Sequence, residues 1–280
     1  MKENKCRILE NVIYDIKKAQ ERIDKDGSRY KIFKLSDLFL TEDDFHLARK
    51  VYKKEAEIVF DNEKINSEGV FRGLVYCLLS PRQDYLTQLK GFEEIFNSEI
   101  SSIEDISNNE LYLREILKKA GVAPQNQKAN YIVQIAKNWD KLCLLEKIKS
   151  GLGKDKDSEF VLRKNLMKEL KGVGEKISSM LMRMCGAEYV VPIDSWMNEI
   201  LYFYGYPCEI SRSKINRVRW NTDVYSMKQT KNGLKGIKYL KAEEFTLDLA
   251  KRYDVRGCIL QLAFWAKKSG YKKELSRNFI

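Results

Sequence analysis

Leu170-Lys171-Gly172-Val173-Gly174-Glu175-Lys176 leads toward Val191-Pro192-Ile193-Asp194, so that Asp194 stands eighteen positions after Lys176. Before this stretch Leu162, Leu166 and Leu170 recur on one helical face; after it Ile177, Met180, Leu181 and Met184 do the same. The pattern predicts helix, Gly-x-Gly hairpin, helix, with Gly186 as the stop of the second helix. Glycines at 172 and 174 permit positive φ and a close phosphate approach to the backbone N–H groups of Gly172, Val173 and Gly174. The helix start that follows adds a favourable partial charge. Alone, such a hairpin is more often a non-catalytic DNA anchor than an active site. Lys176 changes the reading. In the first turn the positive helix end opposes a second cation, and a desolvated cleft opposes it further, which favours the neutral, nucleophilic amine. The plainer alternative is a lysine that contacts a phosphate. Asp194 reads first as the N-cap of a helix running to about Tyr204. A capping carboxylate stays ionised, so it can also steady a cationic sugar as a base departs.

Composition narrows the chemistry. The chain has 280 residues, 44% of them hydrophobic, enough for one large core or two small ones. No apolar run approaches the ~18 residues of a membrane span, and Met1-Lys2-Glu3-Asn4-Lys5-Cys6 opens a charged helical pattern. The expectation is a soluble intracellular protein. A net charge of +11 favours anionic partners, nucleic acid ahead of acidic membranes. Cysteines at 6, 77, 143, 185, 208 and 258 form no C-x-x-C pair and read for the most part as buried thiols, and His46 is the single histidine. No metal site is expected, and neither a Ser-His-Asp nor a Cys-His centre. Carboxylates, lysines or an exogenous metal must carry any reaction.

Helical periodicity dominates the rest. Val12, Ile16, Ala19 and Ile23 make one stripe, and Phe45, Ala48, Tyr52 and Val59 another. Further helices are predicted near 68–80, 84–97, 110–120, 126–148 and 255–268, with a polar loop at 151–157 and turns at Asn232-Gly233 and Gly236. No sustained strand alternation is found, so the fold class is all-α. From Ser211 to Leu240 there are eight basic residues and one acid, Asp223, with Trp220, Tyr225 and Tyr239 interleaved. This is either a solvated loop or a strip facing a phosphate backbone.

Taken together, Lys-Gly-Val-Gly-Glu-Lys and Val-Val-Pro-Ile-Asp-Ser-Trp-Met resemble the helix–hairpin–helix DNA glycosylase superfamily. The Val-Pro-Ile-Asp phrasing is most similar to its 8-oxoguanine DNA glycosylases. The resemblance implies that Lys176 attacks C1′ while Asp194 assists, and that the Schiff base then permits β-elimination. Leu78-Leu79-Ser80-Pro81-Arg82-Gln83 resembles the loop that fills the gap left by a flipped base, with Arg82 or Gln83 as the plug. A polar surface loop is the alternative. In Gln127-Lys128-Ala129-Asn130-Tyr131, Lys128 resembles a residue contacting the opposite strand. Gly257 to Trp265 resembles the base-recognition helix. There Gln261 and Trp265, four apart, share a face able to read and stack on a base, while core packing would suit Leu260 and Phe264. Met180 and Trp196 stand where relatives carry cysteine and histidine, and join the base-recognition set.

The implied architecture is two helical domains with a DNA-binding cleft. Residues 66–186 would carry the plug loop and helix–hairpin–helix, and 1–65 with 187–280 the Pro-x-Asp loop and base-recognition helix. The implied enzyme is a monomeric glycosylase and AP lyase acting on double-stranded DNA that contains 8-oxoguanine. Oxidised pyrimidines or mismatched bases are the alternative substrates, and a non-catalytic DNA-binding protein the alternative class. Only Cys258 lies where some relatives cluster four cysteines, so no iron–sulfur cluster or other cofactor is expected.

Overall fold

The computed structural model describes residues 40–61, 63–194 and 235–269, together with Lys17, Glu21, Met197, Ile200, Leu201 and Tyr204. The stripe at 12–23 and most of the basic strip lie outside these residues. The chain divides into two compact units, Glu55–Val190 and Met1–Lys54 with Val191–Ile280.

The Glu55–Val190 unit begins in the last residues of α1 (Glu42–Val59) and passes through a two-stranded ladder, β1 (Phe60–Asp61) with β2 (Lys64–Ile65). Among the described residues this small ladder is the one departure from an all-helical unit. The helices α2 (Ser67–Leu79), α3 (Tyr85–Phe96), α4 (Ile103–Asn108), α5 (Glu110–Lys119), α6 (Gln125–Lys137), α7 (Trp139–Leu142), α8 (Leu144–Gly151), α9 (Lys156–Glu169) and α10 (Glu175–Met184) follow. Asn66 caps α2 by accepting the Gly69 N–H at 2.7 Å, and Asp84 caps α3 through Thr87. From Gly69 to Leu79 every residue of α2 but Arg72 is buried, because its apolar run wraps the whole helix. Around it close Ile95, Leu113, Leu117, Ile132, Leu166 and Leu181, with the Phe71 and Trp139 rings edge to face at 5.0 Å.

One expectation is corrected here. The helix predicted over 126–148 is three helices, interrupted at Asn138 and at Cys143, whose φ of 46° is left-handed. Periodicity alone carried across those breaks. The helix α4 falls where the sequence carries no expectation, since its six residues are too few for a periodic signal.

Two buried carboxylates of this unit, Glu55 and Glu159, find partners far away in sequence. Arg183 pairs with Glu55, whose other oxygen accepts the Tyr76 hydroxyl at 3.3 Å. Burial raises the Glu55 carboxyl, with the Arg183 charge opposing it. The pair ties the end of α1 to α10. Glu159, wholly buried on α9, accepts the N–H groups of Glu188 and Tyr189 at 2.9 and 2.8 Å, and so holds the segment that leaves α10.

The second unit has its own core. Thr41 and Asp44 form a capping box at the start of α1, which buries Phe45, Ala48 and Val51. With it belong α11 (Ile237–Arg252) and α12 (Gly257–Ser269), which pack on each other. Tyr204 meets Phe264 at 5.4 Å between ring centres, and Phe45 meets Tyr253 at 5.9 Å. His46 is exposed.

Candidate functional site

The hairpin follows from its local sequence. After Glu169 the chain leaves α9 with Leu170 extended, and Val173 N–H donates to the Leu170 carbonyl at 3.2 Å. Gly172 has φ +86°, and a Cβ there would lie 2.3 Å from Cδ2 of Tyr131. Glycine is thus required twice at this position, by conformation and by the ring against it. The Tyr131 hydroxyl accepts from the Gln127 amide at 2.6 Å, which fixes that ring. Gly174 differs from expectation: its φ is −106°, which any residue adopts. What glycine supplies there is room, since an added Cβ would meet nothing within 4 Å. That open space lies beside the first turn of α10, where N–H groups lack helical acceptors and the helix end is positive. Val173 is buried in the core and anchors the turn. Ser178 braces it by donating to the carbonyls of Gly174 and Glu175 at 2.8 and 3.0 Å. Lys176, half-buried, is the second residue of α10. At the far end, Gly186 (φ +100°) stops the helix as predicted. Its N–H donates to Arg183 and that of Ala187 to Met182, a Schellman closure.

The turn after α2 belongs to the same unit. Arg82 is exposed, with a left-handed φ of +61°. Gln83 is half-buried, and its amide nitrogen donates to the Ala123 carbonyl. Of the two plug candidates, Arg82 therefore presents its side chain outward. Lys128 is placed otherwise than the sequence implied. It is 4% exposed, and its ammonium donates to the carbonyls of Leu79 and Pro81 at 2.6 and 2.9 Å. The cation is turned inward onto the plug turn because the end of α2 offers carbonyls without helical donors. Burial first, then the charges of Lys176 and Arg82, lower it to about 7. Met180, expected in a base pocket, is buried one turn after Lys176, and its sulfur accepts from Ser80 Oγ at 3.6 Å. The apolar face of α10 carries it into the core.

In the other unit, Asp194 caps as predicted, its Oδ1 accepting the Met197 N–H at 2.9 Å. Met197, Ile200 and Leu201 are helical and buried. Two residues missed by sequence reasoning hold the segment before it. Glu243 accepts the Val191 N–H at 2.7 Å. The Tyr239 hydroxyl accepts from Ile193 N–H at 3.0 Å and donates to the Val191 carbonyl at 2.9 Å. Both are fully buried, so Tyr239 is an internal clamp and not an aromatic of a nucleic-acid strip. Their i, i+4 spacing on an apolar face was the available signal.

On α12, Gln261 is buried and Trp265 half-buried, while Leu260 and Phe264 are wholly enclosed. From Gly257 to Phe264 every residue of this helix is buried, Gln261 included, and Trp265 is left partly accessible. Trp196, and the strip from Ser211 as far as Leu234, lie outside the described residues.

Against this geometry stand three kinds of likeness. The sequence model of the family described as 8-oxoguanine DNA glycosylase (Ogg-HhH) matches residues 51–235, well over half of the chain. An 8-oxoguanine DNA glycosylase/AP lyase of Metallosphaera sedula is 24% identical over 210 residues, 75% of this chain and 86% of that protein. Among solved structures, the 8-oxoguanine DNA glycosylase of Thermotoga maritima superposes with a TM-score of 0.57 at 17% identity, covering 91% of this chain and 96% of that one. The Methanocaldococcus jannaschii 8-oxoguanine glycosylase/lyase, in complex with a 15mer DNA containing 8-oxoguanine, gives 0.58 at 20% identity, covering 91% and 97%. These structures share the helical fold of this chain.

Proposed function

The chain belongs to the 8-oxoguanine DNA glycosylase family, and we propose that it excises 8-oxoguanine from double-stranded DNA and then cleaves the strand as an AP lyase. The observation that carries this reading is the braced hairpin, with an open face at Gly174 and Lys176 in the turn beyond it. A phosphate seated at the hairpin brings the sugar to the lysine. Its neutral amine attacks C1′, the bond to the base breaks, and the electron pair leaves with the base, which gains a proton. The amine sheds its proton and the sugar opens to a Schiff base. Loss of a proton from C2′ then expels the 3′ phosphate, and water frees the lysine.

Asp194, held in place as a cap, steadies the positive charge on the sugar as the base departs. Gln261 reads the edge of the base and Trp265 stacks on it. The enzyme works as a monomer on intracellular DNA, and no cofactor enters the scheme. Among the described residues no helix is long and apolar enough to cross a membrane, and no group of acidic, histidine and cysteine side chains could hold a metal ion.

Borohydride trapping on a duplex carrying one 8-oxoguanine tests the proposal. A covalent enzyme–DNA adduct is expected, and Lys176→Gln should abolish it while leaving duplex affinity nearly unchanged. An undiminished adduct in that variant would remove Lys176 from its role. The same assay on Gln261→Ala should show excision slowed by about ten- to a hundredfold, with cleavage of a preformed abasic site nearly retained, as for ~1–3 kcal/mol of lost hydrogen bonding.

A further inference from the structure

Lys128 lies in the first turn of α6, buried, and its ammonium grips the carbonyls of Leu79 and Pro81. Leu79 is the last residue of α2, where carbonyls lack helical partners and the helix end is negative. A second tie lies close by, from the Gln83 amide to the carbonyl of Ala123, just ahead of α6. The turn 80–83 is therefore held to the start of α6 at both of its ends. Between the two ties stands Arg82, exposed and left-handed, a conformation that a non-glycine residue keeps only where its surroundings impose it. No carboxylate pairs with Lys128 among the described residues. The charges that act on it, Lys176 and Arg82, are both positive, and with burial they bring it to about 7. A lysine so placed opposes its own burial. What it supplies in return is a clamp of two hydrogen bonds on the turn.

We propose that Lys128 is a positioning residue for base extrusion: its clamp on Leu79 and Pro81 keeps the 80–83 turn in the conformation that presents Arg82 outward, toward the gap left by a flipped base. This rests on the glycosylase reading above, in which that turn enters the duplex. Lys128 itself touches neither sugar nor base and acts through Arg82.

The test compares wild type, Lys128→Met, Lys128→Arg, Arg82→Ala and the Lys128→Met/Arg82→Ala double variant. Single-turnover rates are measured on an 8-oxoguanine duplex and on the same duplex with a preformed abasic site. Lys128→Met should slow excision about tenfold and abasic-site cleavage less than about threefold, since no base remains to be extruded. Lys128→Arg should recover most of the loss. In the Arg82→Ala background, Lys128→Met should cost nothing more. A readout without DNA accompanies these: trypsin cutting after Arg82 should be about tenfold faster in Lys128→Met, at an unchanged or higher melting temperature. Equal losses on both substrates, additive losses in the double variant, or unchanged tryptic cutting would overturn the proposal. A wild type that excises no base would overturn the glycosylase reading and the extrusion role with it, whereas the clamp would still be judged by trypsin.

Discussion

Lys128 carries a pH dependence whose sign can be worked out from its surroundings. The groups that face it are the Leu79 and Pro81 carbonyls from the end of α2 and its turn, Arg82 from the same turn, and Lys176 from α10. In the fold it titrates near 7; in the unfolded chain it returns to the ordinary lysine value of 10.5. Between those limits the unfolded chain holds a proton that the folded one has released. Stability from this group must therefore rise with pH across that window and stay level below it. Buried Cys77, Cys185 and Tyr76 are pushed upward by desolvation and pull the opposite way in alkaline solution. Comparison with Lys128→Met cancels them. Urea midpoints at several pH values from about 6.5 to about 9.5 should show wild type gaining on Lys128→Met as pH rises. A constant difference would show that the buried amine keeps its ordinary affinity for protons.

At the scale of elements, the segment leaving α10 is held by side chains that reach into it from helices. Glu159 of α9 takes the N–H groups of Glu188 and Tyr189, and Glu243 and Tyr239 of α11 take those of Val191 and Ile193. An extended stretch without strand partners must find its hydrogen bonds this way. Tyr239→Phe leaves the Ile193 N–H and the Val191 carbonyl buried without that hydroxyl. It should cost about 1–3 kcal/mol in urea unfolding. The proposed excision should slow with it, because Asp194 follows one residue after Ile193. Unchanged stability and rate would show that water or a shifted backbone replaces the phenol. The hairpin shows the same logic in reverse. Tyr131 fills the space where Gly172 has no side chain, so one element's missing atoms seat another element's ring.

For the whole molecule, a net charge of +11 predicts a steep salt dependence of DNA binding, with log affinity falling by roughly 0.9 per neutralised phosphate against log salt. Dissociation constants measured from low to physiological salt check this, and a flat line would argue against phosphate contacts. The sequence by itself determined the helical class, the hairpin between two helices, the Schellman stop at Gly186 and the cap at Asp194. Each of these follows from chain-local rules: a period, a glycine's freedom, a short polar side chain three residues before an N–H. Other matters were decided only by tertiary structure. Lys128 reads as a basic residue on a helix, yet it is buried because carbonyls at the end of α2 are presented to it. Gly174 reads like Gly172, yet only Gly172 has a ring against it and a left-handed backbone. Tyr239 reads as part of a basic strip, yet it closes on Val191 and Ile193 from the opposite side of a long sequence gap. What such side chains do depends on which unpaired donors and acceptors the fold brings within three ångströms, and no local pattern encodes that.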